Sequence, residues 1–385
     1  MTRYLLTTAM RGVSLLLLAI VIATYAENSD VYFSIIAVSA IFVTVTSFSL
    51  QNIVNRVSYN LSISKQVFSA AVTISLVIFV ICFFAAVLFG SSAEVYLFLL
   101  YSLFKSTEMM SDSLLVAMGR RIYLSNIILL NILTVTTIII LLYIEAISDL
   151  YMVLLSQSLM GLLIYSVYVL QQHYRIKIYR VATLALKIFK NYKNLIIPLS
   201  ITSVGGVLLT QGDKVILGLL GEANQLSEYS VTYLCCFFTY RFFTTSYLQM
   251  VASNFYRTRS ESSLRLNFIL GLIFVLIANF SFYIFISIYN MASILPINYD
   301  DQILLPLLVS SILAYVYIGN TIKIKYVYKA HIIMWVQVLF GLLTVFLNII
   351  LIPIFGIQVI PWILMFIYFA MCITTISYNP AWSLQ

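Results

Sequence analysis

Charge is what this chain has least of. Only 9% of its 385 residues are Asp, Glu, Lys or Arg, while 62% are hydrophobic; soluble proteins run near 25% and about 45–50%. So few charges cannot coat a water-soluble globule of this length, and the mean hydropathy of +1.04 identifies an integral membrane protein. Histidine is almost missing. His173 and His331 are the two present, both at the cytoplasmic edge, so histidine chemistry on the outer face has no candidate. Cys82, Cys235, Cys236 and Cys372 all fall in apolar runs and read as small buried hydrophobes, not as a disulfide set or a metal site. No nucleotide-binding loop occurs, which disfavours direct drive by ATP, and no cofactor is expected. No small-residue cleavage site follows the first apolar run, which therefore reads as a retained span. The runs are continuously apolar instead of alternating every second residue, which excludes a membrane β-barrel.

What is there in abundance is membrane-length apolar sequence. A spanning helix needs about 20 mainly apolar residues. The sequence predicts about twelve such spans, at 4–25, 31–54, 67–90, 95–118, 122–144, 150–170, 195–220, 229–250, 267–289, 302–322, 332–352 and 357–377.

The charges between the spans set the orientation. Cations collect at the N-terminus and in every second loop: Arg3 and Arg11; Arg56 and Lys65; Arg120 and Arg121; six Lys/Arg between 175 and 193; Arg257, Arg259 and Arg265; Lys323, Lys325 and Lys329. The opposite loops carry Glu27, Asp30, Glu94, Glu145, Asp149, Glu222, Glu228, Asp300 and Asp301 and no Lys or Arg. Basic loops stay cytoplasmic, so both termini are expected inside. The net charge of +8 then reflects orientation, and nucleic acid is not an expected partner. The basic stretch 171–194 divides the chain into an N-terminal lobe, 1–170, and a C-terminal lobe, 195–385. That stretch reads as a linker held by anionic lipid headgroups or as a surface that recruits a partner.

A six-plus-six division invites a search for internal symmetry. Ser29-Asp30 precedes the second span and Leu50-Gln51 lies near its end; Ser227-Glu228 and Leu248-Gln249 take the same places around the eighth. The reading is a duplicated bundle whose parallel halves flank a substrate path.

Six charges remain inside spans: Lys105, Glu108, Asp112, Asp213, Lys214 and Arg241. A charge at mid-bilayer costs roughly 2.5–3.5 kcal/mol on insertion scales and needs a wet cavity or a partner. At 1.5 Å per residue, Lys105 lies about 15 Å and Arg241 about 18 Å below the outer surface, both near the midplane. Lys105, Glu108 and Asp112 share one stripe of a helix. They form either an internal ion pair, Lys105 with Glu108, or a polar face on an aqueous cavity, where Asp112 is the better candidate to carry a coupling ion. Arg241 has no acid within one helical turn and needs an anion from another helix or from a ligand; its fork suits phosphate. Arg11 and Arg56 either extend a cationic cavity or anchor their spans at the interface. Asp213 and Lys214 lie near the outer end of the seventh span, from which Lys214 can snorkel. Gly205 and Gly206 permit close helix packing or a hinge.

The stretch Ile197-Pro198-Leu199-Ser200, then Gln211-Gly212-Asp213-Lys214-Val215-Ile216-Leu217-Gly218, then Leu226-Ser227-Glu228-Tyr229-Ser230 resembles the seventh and eighth spans of O-antigen flippases of the Wzx type. These belong to the multidrug/oligosaccharidyl-lipid/polysaccharide (MOP) exporter superfamily. Asn348 and Ile352-Pro353-Ile354-Phe355-Gly356-Ile357 resemble that family's turn between the last two spans, although Gln358-Val359-Ile360-Pro361 departs from its Gly-Ala-Ala continuation. Ser227-Glu228 also replaces the family's small-residue approach to Tyr-Ser.

The resemblance implies an all-α integral membrane fold of two six-helix lobes around a central cavity. It implies alternating access that turns an undecaprenyl-diphosphate-linked O-antigen or other polysaccharide unit from the cytoplasmic to the periplasmic leaflet of the bacterial inner membrane. Arg241, Lys105, Arg11 and Arg56 are then the candidate substrate-binding cations. Asp112, Glu108 and Asp213 are the candidates for ion coupling, and Gly205 and Gly206 for a hinge. Expected partners are the lipid-linked oligosaccharide, the bilayer, a polysaccharide polymerase and a chain-length regulator. A drug or metabolite antiporter of the same superfamily is the alternative. An O-antigen polymerase or membrane acyltransferase fits less well, because the outer loops are short and the long loop is cytoplasmic.

Overall fold

In hydrocarbon an unpaired backbone N–H or C=O is costly, so a spanning segment closes its own hydrogen bonds as a helix. The computed structural model describes residues 2–26, 28–46, 61–117, 120–144, 149–171, 178–220, 223–248, 251–252, 255, 260–289, 300–326 and 330–378. Twelve α-helices form among them: α1 (Thr2–Tyr25), α2 (Ser29–Thr46), α3 (Leu61–Leu88), α4 (Ala93–Ala117), α5 (Arg121–Tyr143), α6 (Leu150–Gln171), α7 (Ile178–Leu219), α8 (Ala223–Phe242), α9 (Glu261–Tyr289), α10 (Asp301–Tyr326), α11 (Ala330–Phe355) and α12 (Val359–Ser377). A π-helical turn, Phe243–Leu248, continues α8. Eight of these helices are long and apolar enough to cross a membrane. The chain is a multi-pass, all-helical membrane protein.

Helix ends follow local chemistry. Gly90 and Gly356 hold φ of +61° and +71° just beyond α3 and α11, the left-handed conformation that glycine adopts without a Cβ penalty. Pro198, Pro306 and Pro353 lie inside α7, α10 and α11. Thr202 and Ser310 hydroxyls donate to the Pro198 and Pro306 carbonyls one turn back, at 2.6 Å.

The chain forms two compact units, Met1–Val207 and Leu208–Gln385. The boundary falls inside α7, next to Gly205-Gly206, and residues 178–194 of the basic stretch are helical as the start of α7. In the first unit α4 is central: α2, α3 and α6 pack on it, and α1 packs on α5. In the second, α8, α9 and α12 pack on α10, and α11 on α12. The fourth helix of each set thus packs on the second and the sixth in both units.

Close contacts rest on small residues, as packing between membrane helices requires. Gly161 of α6 lets the Phe104 ring of α4 lie against its backbone, and Gly319 of α10 does the same for Phe268 of α9. Large apolar side chains stay exposed instead on α3, α9 and α11, including Phe84, Phe280 and Trp335, the faces suited to lipid.

Candidate functional site

The first unit holds a buried ionic cluster built from four helices. Lys105, Glu108 and Asp112 lie three and four residues apart on α4 and so face one way. Arg11 comes from α1, Asn131 from α5 and Tyr165 from α6. The Arg11 fork donates Nη2 to Glu108 Oε1 and Nη1 to Asp112 Oδ2, the latter at 3.1 Å. Lys105 Nζ donates to Glu108 Oε2 at 2.8 Å, and Asn131 Nδ2 to Glu108 Oε1 at 3.4 Å. Glu108 therefore accepts from three side chains, and its own side chain is 4% exposed. Arg11, Lys105 and Asp112 retain 17%, 24% and 28% side-chain exposure. Lys105 Nζ also lies 4.9 Å from the Phe104 ring centre and 5.6 Å from that of Tyr101.

One acceptor is left over. Among the described residues, Asp112 Oδ1 is buried and closes no hydrogen bond within the distance and angle limits of one. The Tyr165 hydroxyl faces Asp112 and is likewise unsatisfied among the described residues. Two cations and two carboxylates thus balance, with spare hydrogen-bonding capacity at Asp112. The pair Lys105–Glu108 forms as one of the two sequence readings has it, and the stripe also meets Arg11, which is drawn into the cluster.

The second unit has its own buried charges, on α7 and α8. Asp213 is fully buried and Lys214 is 4% exposed. The Tyr229 hydroxyl donates to Asp213 Oδ2 at 2.5 Å. Lys214 Nζ donates to Asp213 Oδ1 at 3.3 Å and to the Thr210 carbonyl at 2.9 Å, and sits 3.6 Å from the centre of the Tyr233 ring. Arg241 Cζ is 5.7 Å from the same ring centre. The snorkelling expected of Lys214 does not occur. Side chains on a helix lean toward its N-terminus, which for Lys214 points away from the nearer end of α7, at Leu219, and toward Thr210.

Arg241 stands two residues before the π-helical turn. π-turns are uncommon and occur often at functional sites. Two aromatic residues fasten this one to α9. Phe243 stacks on Phe274 at 6.0 Å, and the Tyr247 hydroxyl donates to Asn267 Oδ1 at 3.0 Å. Tyr247 and Tyr315 also crowd the space where Gly271 would carry a Cβ.

Arg56 lies outside the described residues. Gly205 and Gly206 lie in unbroken helix. Sequence reasoning missed Asn131, Tyr165, Tyr229 and Tyr233. Asn131 carried a signal, as one of two amides, with Asn126, inside a mainly apolar span. Tyr229 and Tyr233 carried another, four residues apart on the helix that presents Arg241.

No protein-family profile and no curated protein matches the sequence. Solved structures do match the fold over nearly the whole chain. The MATE multidrug transporter DinF-BH is 14% identical with a TM-score of 0.59, covering 98% of this chain and 93% of that one. A MATE transporter variant from Vibrio cholerae is 12% identical with a TM-score of 0.58, covering 99% and 96%. A MOP superfamily transporter from Pyrococcus furiosus, described by the reverse polarity of its binding pocket, is 11% identical with a TM-score of 0.55, covering 99% and 93%. The fold of this chain is that of the MATE transporters of the MOP superfamily.

Proposed function

We propose that this chain is a flippase that carries a prenyl-diphosphate-linked oligosaccharide, of the O-antigen or related polysaccharide type, from the cytoplasmic to the periplasmic leaflet of a bacterial inner membrane. The observation that carries the reading is the convergence of the Arg11 fork and the Lys105 ammonium on a single carboxylate, Glu108. That arrangement of donors is also the one that holds phosphoryl oxygens, with Arg binding through two N–H groups and Lys as a point charge. Lys214 and Arg241, grouped around Tyr233 in the second unit, supply further cations for an anionic headgroup. The motif-level resemblance of the seventh and eighth spans to O-antigen flippases points the same way. Lobe movement would use the Gly205-Gly206 segment of α7, and both termini would face the cytoplasm, as the basic loops require.

The second reading is a drug or metabolite antiporter. It is favoured by the two acids on α4, Glu108 and Asp112, and by the fold shared with a multidrug transporter. A strain lacking the gene separates the two. The flippase reading predicts loss of surface polysaccharide with lipid-linked units retained inside, and unchanged drug tolerance. Drug sensitivity with normal polysaccharide would establish the antiporter and remove the flippase.

A further inference from the structure

Every cation in the first-unit cluster is already occupied by a carboxylate. A phosphate that takes Arg11 and Lys105 strips Glu108 of both its ionic partners and leaves Asn131 as its remaining donor. It also takes from Asp112 the Arg11 contact at 3.1 Å. A carboxylate as enclosed as Glu108 does not stay ionised without a partner; it takes up a proton instead. A diphosphate esterified at both ends carries two negative charges. Two cations match it once both carboxylates are neutral.

We propose that phosphate capture by Arg11 and Lys105 and proton uptake by Glu108 and Asp112 are a single linked event, so that the anionic headgroup and protons load the first unit together. This rests on the flippase reading and adds the sense of its coupling. The groups facing the two acids are Arg11 of α1, Lys105 and Tyr101 of α4, Asn131 of α5 and Tyr165 of α6. Tyr32 of α2 stands next to Tyr101, and α3 contributes Ser75, which accepts from Ser106. Apart from the two cations these neighbours are tyrosines, an amide and a serine, none of which titrates near neutral pH. Among the described residues, the two carboxylates are therefore the groups able to exchange protons there. Asp112, with Oδ1 unsatisfied beside the Tyr165 hydroxyl, has an open position for the first proton. Drug or cation exchange would show the opposite sign, protons leaving as the ligand arrives.

The test is titration calorimetry of the full-length protein in nanodiscs with prenyl-diphosphate-linked N-acetylglucosamine, in buffers of different ionisation enthalpy between pH 6 and 8. Inorganic diphosphate and the uncharged prenol are the separate arms, which distinguish a lipid headgroup from a free phosphate. The expected result is uptake of one to two protons per headgroup and a tenfold weaker affinity per pH unit for each proton taken up. Asp112→Asn should remove about one proton of uptake. Glu108→Gln with Asp112→Asn should bind without uptake, independently of pH and more tightly than wild type at pH 8. Thermal melting confirms that each variant is folded. Wild-type binding without uptake, or with release, overturns the linkage and leaves the flippase reading standing. No binding of the lipid diphosphate at any pH overturns both.

Discussion

Replacing Arg11 by leucine removes a side chain that ties α1 to α4 through two ion pairs. It donates to two carboxylates on another helix, Glu108 and Asp112. Without it Glu108 keeps Lys105 at 2.8 Å and Asn131 at 3.4 Å, while Asp112 loses the ion pair it makes in this structure. Breaking a buried pair by removing one partner costs about 3–5 kcal/mol. The 28% exposure of the Asp112 side chain reduces its share, because water can solvate part of it. The expected loss is therefore about 3 kcal/mol, at the lower end of that range. Neutralising the stranded carboxylate as well should be far less costly, since its desolvation is removed. Arg11→Leu combined with Asp112→Asn leaves Glu108 paired with Lys105 and should thus recover about 2 kcal/mol relative to Arg11→Leu alone. Equilibrium unfolding in mixed micelles reads both numbers. A single variant costing under about 1 kcal/mol, or effects additive to within about 0.5 kcal/mol, would refute the cluster as an energetic unit.

Further outcomes follow from the same geometry. Arg241→Ala should abolish complementation of polysaccharide export while leaving the amount of protein in the membrane unchanged; normal polysaccharide would remove Arg241 from the mechanism. Tyr229→Phe deletes the charge-assisted donor to Asp213 and should cost about 1.5–3 kcal/mol in thermal or chemical unfolding. Gly161→Ala and Gly319→Ala push a methyl into the Phe104 and Phe268 rings and should each destabilise by about 1–3 kcal/mol by the same assay. A Lys105→Ala/Glu108→Ala double variant that melts higher than either single variant would support Lys105–Glu108 as an internal ion pair.

The helices were legible because hydrocarbon allows a segment so few choices. α5, α6 and α12 agree with the predicted spans to within two residues at each end. α7 differs more, beginning at Ile178 because the basic residues before the apolar run also favour helix and Lys190 and Lys193 lie exposed on it. The α4 stripe was legible from spacing alone. Its meeting with Arg11 was not, since residues 97 and 101 positions apart are joined by packing that no local pattern encodes. Lys214 shows a different limit. Position near a helix end suggested an escape to the interface, but the lean of helical side chains directed it inward, to Asp213 and the Tyr233 ring.

The central claim is that the protein moves a phosphorylated lipid head across the bilayer, and leaflet inversion measures that directly. Purified protein is reconstituted into vesicles containing a prenyl-diphosphate-linked oligosaccharide, and a glycosidase added outside reports how much of the lipid becomes accessible. The account predicts that wild type renders the inner-leaflet pool accessible and that Arg11→Leu and Arg241→Ala slow this to the rate of empty vesicles. Vesicles in which wild-type protein leaves that pool as protected as in its absence, at every pH and ion gradient applied, would contradict it.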